Sequence, residues 1–184
     1  MSMYPIQSWV NSGTATNTVT FNNISQEFKH LQIRLSVRIN APGNNNWYAD
    51  FITFNGDNTG SNYDTHALQA FATVGGGGQS LGSGLSSGLA ALNNSLMEGS
   101  VSTSYTTVSI TDILDYTNTN KNKVGRSIYG FITVPTPLQV GMFSFIWKST
   151  AAITSFTISN PIAAWTAASR IDIYGISTSS ITGA

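Results

Sequence analysis

The chain contains no cysteine, so disulfides and thiolate metal sites are excluded and the redox state of its compartment cannot be read. Charge is scarce as well: Asp, Glu, Lys and Arg make up 9% of the 184 residues, against roughly 25% in an ordinary soluble domain. Eight basic residues balance eight acidic ones, leaving no basic stripe for a phosphate backbone and no acidic tail. Nucleic acid is therefore not an expected partner. The opening Met1-Ser2-Met3-Tyr4-Pro5-Ile6-Gln7 has neither a basic nor an apolar leader region, which argues against Sec export. No apolar run approaches the roughly 20 residues of a membrane-spanning helix, so no membrane role is expected. These absences point to a chain made soluble in a cytoplasm.

In place of charge the sequence carries Ser, Thr, Asn and Gly, with 41% hydrophobic residues to build a core. A surface this neutral suits a protein largely covered by neighbours, or one whose solubility rests on hydroxyls and amides. The length allows one domain, 1–184, with residues 1–12 expected as an N-terminal arm.

Two-residue alternation dominates. From His30 to Ile39 apolar and polar residues alternate without a break, which places Leu31, Ile33, Leu35, Val37 and Ile39 on one buried face. Further strands are expected over 47–55, 105–114, 126–134, 140–148, 153–159 and 170–176, with weaker ones at 6–10 and 17–21. Turn chemistry separates them at 40–46, 55–60, 117–122 and 135–137. The pattern predicts an all-β protein: an antiparallel β-sandwich, jelly-roll-like, with long Gly/Asn-rich loops. Leu81, Leu85, Leu89, Leu92 and Leu96 recur at helical spacing, but Gly82, Gly84 and Gly88 weaken a helix. The expectation is a flexible Gly-rich loop over 74–88, containing Gly75 to Gly78, followed by a strand over 89–97, with a short helix as the alternative.

Chemistry-bearing groups are few. His30 and His66 read as partly exposed structural histidines, no His-Glu-x-x-His occurs, and no nucleophile elbow is expected. Asp112 and Asp115 are three apart and point to opposite faces of a strand, so they do not pair; Asp115 suits capping the following turn. The segment from Asp57 to Asp64 offers oxygen ligands around Gly60, yet it lacks EF-hand spacing, and an Asx turn accounts for the same residues. Four glycines without a following Gly-Lys-Ser/Thr make no phosphate loop. No catalytic residue, cofactor-binding residue or metal ligand is expected.

Contact residues can be nominated. Trp47 and Trp147 sit in strand patterns and suit the core, whereas Trp165, in the loop-like Asn160-Pro161-Ile162-Ala163-Ala164-Trp165, suits a subunit contact. Trp9 joins it. Lys121, Lys123 and Arg126 form a small basic cluster on a hairpin, either solvated or facing an acidic neighbour.

Several phrases, in one order, carry a resemblance. They are Val19-Thr20-Phe21-Asn22-Asn23-Ile24 with Lys29-His30-Leu31-Gln32-Ile33-Arg34-Leu35-Ser36, and Ile52-Thr53-Phe54-Asn55-Gly56-Asp57 with Ser61-Asn62-Tyr63 and His66. Ile113 to Lys123 follows, then Trp147 with Thr150 to Ser155, and the ending Ser169 to Ile176. In this order the chain resembles small virion structural proteins of tailed bacteriophages. The resemblance implies a β-sandwich building block, often oligomeric, without catalytic activity. The expected function is capsid decoration (cement), with the major capsid protein and copies of the chain itself, as a homotrimer, for partners. The alternative is a tail, baseplate or fibre component that binds a host receptor or glycan, with Trp165 and the Asn-rich loops in contact. A secreted carbohydrate-binding module and a hydrolase rank lower, for want of a signal peptide and of paired acids.

Overall fold

The computed structural model describes residues 2–40, 46–72, 82–87, 90–97, 106–132 and 138–177. Fourteen strands are assigned among them: β1 Ser2–Val10, β2 Thr18–Phe21, β3 His30–Val37, β4 Ile39–Asn40, β5 Asn46–Phe54, β6 Tyr63–Ala72 and β7 Gly82–Ser87; then β8 Ala90–Met97, β9 Thr107–Leu114, β10 Lys123–Ile132, β11 Leu138–Trp147, β12 Phe156–Ser159, β13 Ala164–Trp165 and β14 Arg170–Ser177. A single 3-10 turn, Gly60–Asn62, precedes β6. All pairings are antiparallel. Eight strands form a large sheet in the order β1-β14-β3-β9-β10-β11-β6-β7, and four form a second sheet in the order β2-β12-β5-β8. A two-stranded ribbon, β13-β4, completes the set. β8 lies over β9, β10 and β11, which makes the two main sheets a sandwich.

The alternation read in β3 is realised: Leu31, Ile33, Leu35 and Val37 are buried while Arg34 and Ser36 are exposed. Ile39 departs from the expected row. The strand breaks at Arg38, and Ile39 continues in β4, partly buried against the core beside Trp165. Inward residues of both sheets, with Ile24, Tyr116 and Ile153 from loops, form the main core, where Trp147 stands against Phe54 and Tyr63 as expected. The Trp47 side chain lies outside the described residues.

Two local features follow directly from residue type. Asn55 and Gly56 both take positive φ, 51° and 73°, closed by a hydrogen bond from Asp57 N to Phe54 O at 2.9 Å. Asn-Gly suits such a primed turn because glycine meets no Cβ penalty there and asparagine little. At the β10–β11 pair Gly125 faces Phe145, whose ring lies where a Cβ on residue 125 would stand, within 2.2 Å. Only glycine leaves the ring room to cover the backbone of the neighbouring strand.

Several expectations need correction. Residues 2–10 are no free arm; they pair along their length with β14 as an edge strand. Within the span expected as a flexible loop, Gly82 to Ser87 form β7, paired with β6 at the opposite edge. The four-glycine run lies outside the described residues, as do most of the 40–46 turn and the 135–137 turn. Among the described residues the leucine repeat is not helical: Leu85 belongs to β7, and Leu92 and Leu96 to β8, while Leu81 and Leu89 lie outside them. The strand expected from Ile153 begins at Phe156, because Ile153 is a core residue of a loop whose N–H donates to Tyr116 O at 2.9 Å. β6 was absent from the expected series.

Candidate functional site

Several titratable side chains among the described residues are committed to structure. Asp57 anchors the turn before β6: Oδ2 accepts from Trp147 Nε1 and Asn62 Nδ2, both at 2.8 Å, and Oδ1 accepts from Thr59 N at 3.0 Å. These donors, Trp147 foremost, push its pKa down to about 2. With both oxygens taken by N–H groups, the Asx-turn reading of residues 57–64 describes this segment. The folded-state pKa lies below the unfolded value of 3.8, so the stabilisation is complete above about pH 4 and is lost as pH falls through about 2. Asp57→Asn is expected to flatten that part of the urea-midpoint profile. It should also cost about 1 kcal/mol at neutral pH, because an amide presents a donor to donors. An unchanged acid limb would refute the assignment.

His30 Nδ1 accepts the Asp115 backbone N–H at 2.9 Å, and the Asp115 carboxylate bonds Lys121. The Lys121 hydrogen bond is the main reason the Asp115 carboxyl lies below its ordinary value. Asp115 thus holds its turn, as expected, with its own carbonyl accepting from Asn118 N at 3.0 Å. A shallow depression between β1 and β14 presents Asp172, whose carboxylate is occupied by Ser8 and Arg170. Among the described residues no group of three or more His, Asp or Glu could hold a metal ion.

Of the nominated contact residues, two are inaccessible. Trp165 is 1% exposed; its Nε1 donates to Asp50 Oδ1 at 3.1 Å, and its ring stands 5.6 Å from that of Trp9. It is a core residue, because the segment after Asn160 folds inward to pair with β4 instead of looping over the surface. Lys123 is fully buried: its ammonium donates to the carbonyls of Asn118, Lys121 and Thr150 at 2.5, 2.9 and 3.0 Å. Desolvation lowers its pKa, and the Lys121 charge adds to the effect. Its work is to tie the turn before β10 to the loop after β11. The basic cluster is thereby dispersed: Lys121 pairs with Asp115, and Arg126 reaches Asp112 at 3.5 Å on the outer face of the large sheet. Trp9 is half-buried against the core.

That outer face is the most unusual surface of the molecule. Strands β9, β10, β11 and β6 turn one set of side chains into the core and the other outward, and the outward set is largely aliphatic. Leu68, Val108, Ile110, Leu114, Val124, Ile128 and Val140 are each between 46% and 58% exposed. Strand register assembles them into rows. One row runs Ile110–Ile128–Met142–Leu68, a second Val108–Gly130–Val140–Ala70, and a third Leu114–Val124–Ile146, which ends on β6 at Asp64, ion-paired with Lys148. Between the third and the first lies one polar row, Asp112–Arg126–Ser144–His66. The neighbouring β3 is polar on this side, with Gln32, Arg34 and Ser36.

Composition alone does not single out these residues. In Thr107 to Leu114 the apolar parity, Val108, Ile110 and Leu114, is exposed while Thr107, Ser109 and Thr111 are buried, so alternation alone points the strand the wrong way round; topology sets the inner side, and none of the described residues covers the outer one. No protein-family model, curated protein or solved structure matches this chain, so its functional reading rests on this surface and on the sequence itself.

Proposed function

We propose that the chain is a non-enzymatic virion structural protein, a decoration (cement) subunit that binds and stabilises the major capsid shell of a tailed bacteriophage. The observation that carries this reading is the aliphatic outer face of the large sheet. Contiguous apolar patches beyond a few hundred Å² are uncommon on free monomers and mark surfaces that are covered in use. The 9% charged fraction supports the same reading, since neutral surface suits a permanently assembled subunit better than a freely diffusing one. The resemblance of the ordered phrases to phage virion proteins points to the particle. Cementing requires no chemistry, only many modest contacts repeated around a closed shell, where multivalency turns weak single contacts into collective resistance to internal pressure. The protein is made in the host cytoplasm and functions on the virion, with the shell protein and further copies of itself as partners.

The tail or fibre reading loses its aromatic platform, because Trp165 is enclosed by Trp9, Asp50 and the β4 ribbon. Copy number per purified virion, measured by quantitative mass spectrometry against the major capsid protein, tests the proposal. A ratio near one to one, or a simple fraction of it, is expected. A handful of copies per particle would transfer the protein to the tail, and its absence from particles would overturn the virion reading.

A further inference from the structure

We infer that the outer face formed by β9, β10, β11 and β6 is a two-fold contact between two copies of this chain, packed sheet face to sheet face. The inference rests on the reading of the chain as an assembly subunit and names the surface through which copies meet. With about half of each of seven aliphatic side chains exposed, the face offers on the order of 600 Å² of aliphatic surface. That is the upper end for a monomer and most of the roughly 800 Å² per partner that a standard interface buries.

Charge selects the occupant. A two-fold contact sets a patch against itself, so any net charge on the patch would repel its own copy. Here the polar row contains one acid and one arginine, already 3.5 Å apart in each copy, and the one charge in the apolar rows, Asp64 at the end of the third, is paired with Lys148 at 2.9 Å, so the patch has no net charge. A surface of that kind has nothing to offer a phosphate backbone, an anionic bilayer or an acidic peptide, whereas it fits its own copy.

Register supplies the geometry. Place a two-fold axis along the strands, between β10 and β11. Then β9 lies over the partner's β6, and β10 over the partner's β11. Each cross-strand row meets its own reverse: the first two aliphatic rows close on themselves, the polar row lies along the polar row, and in the third Val124 meets Ile146 while Leu114 meets the Lys148-paired Asp64 at the margin. The result is a second sandwich layer at the usual sheet spacing of about 10 Å, with strands nearly aligned. The polar outer side of β3 forms one rim. Such a contact pairs copies two by two; three-fold clustering on a shell would use other surfaces.

Sedimentation equilibrium of the purified chain is the test. The wild-type protein is expected to approach twice its 19.6 kDa mass at micromolar concentration. Ile128→Lys, which sets an ammonium in the central aliphatic row, is expected to weaken dimerisation by at least about 100-fold. Ile162→Lys, at an exposed aliphatic residue away from the sheet, should leave it unchanged. Should Ile128→Lys fail to fold, the absence of native cysteine allows a second approach. Ile128→Cys is expected to give a cross-linked dimer with a short bis-maleimide, and Ile162→Cys is not. A wild-type chain that stays monomeric, or a dimer indifferent to Ile128→Lys, overturns the inference. A monomer present at high copy number on virions would sink this contact and leave the decoration role standing; a dimer absent from virions would do the reverse.

Discussion

Replacing Trp165 with alanine is expected to destabilise the fold by about 3–5 kcal/mol, the usual loss for a large aromatic removed from a packed core. The indole fills space beside Trp9, and its backbone is held on both sides: Trp165 N donates to Thr16 O, and Trp165 O accepts from Asn11 Nδ2, each at 2.8 Å. Alanine would keep the backbone bonds and lose the packing and the Nε1 bond to Asp50. Urea denaturation followed by circular dichroism measures the effect. A tryptophan acting only in subunit contact would behave differently, its loss leaving stability within about 0.5 kcal/mol of wild type and abolishing association. That outcome would mean the residue is not in the core.

Asp50→Ala should rank with it, at about 3–5 kcal/mol, for a different reason. Asp50 is fully buried on β5, and its carboxylate gathers three donors: Asn93 Nδ2 at 2.9 Å, Asn160 Nδ2 at 2.9 Å and Trp165 Nε1 at 3.1 Å. Asn93 and Asn160 are themselves fully buried. Asn160 Oδ1 in turn accepts from Ile162 N and Ala163 N at 3.1 and 3.0 Å, which turns the chain towards β13. Removing the carboxylate leaves three buried donors without that acceptor, at about 1–3 kcal/mol each before relaxation. Asp50→Asn should recover only part of the loss, since its amide adds a donor to a cluster already rich in them. Because Asp50 and Trp165 share a bond, the double variant is expected to lose at least about 1 kcal/mol less than the sum of the single ones. Strict additivity, or a loss below about 1 kcal/mol for Asp50→Ala, would contradict the network.

These two residues also show where sequence reading stops. The sandwich class and most strands were legible because alternation is local: Leu31, Ile33, Leu35 and Val37 declare a buried face within eight residues. Trp165 was misplaced because its burial is decided 115 residues away, at Asp50. Asn160 and Pro161 look like surface-loop residues, and nothing nearby reveals that the asparagine is an interior anchor. Lys123 reads as solvated or facing an acidic neighbour for a related reason. Its three acceptors are backbone carbonyls, which leave no trace in residue type. β7 was missed because Gly-Ser-Gly has low strand propensity, and an edge strand needs only its backbone to pair with β6. β6 was missed because Ala67 and Ala70 blur its alternation. The outer face was visible residue by residue, as Val108, Ile110 and Ile128, but its being uncovered is a property of topology alone.

The position of β14 sets a schedule for folding. Although it is the last of the described strands, it lies inside the large sheet, hydrogen-bonded on one side to β1 and on the other to β3. While the chain emerges from the ribosome, β9, β10 and β11 can zip as successive hairpins, but β1 has no partner and one edge of β3 stays open until Arg170 to Ser177 have been made. Closure of that gap joins segments about 160 residues apart and is slow on entropic grounds. A ribosome-bound nascent chain therefore presents a bare strand edge next to an aliphatic sheet face, the combination that invites premature association. Completion of the sheet by β14 couples the appearance of Arg170 to Ser177 to the moment at which the subunit becomes safe to assemble.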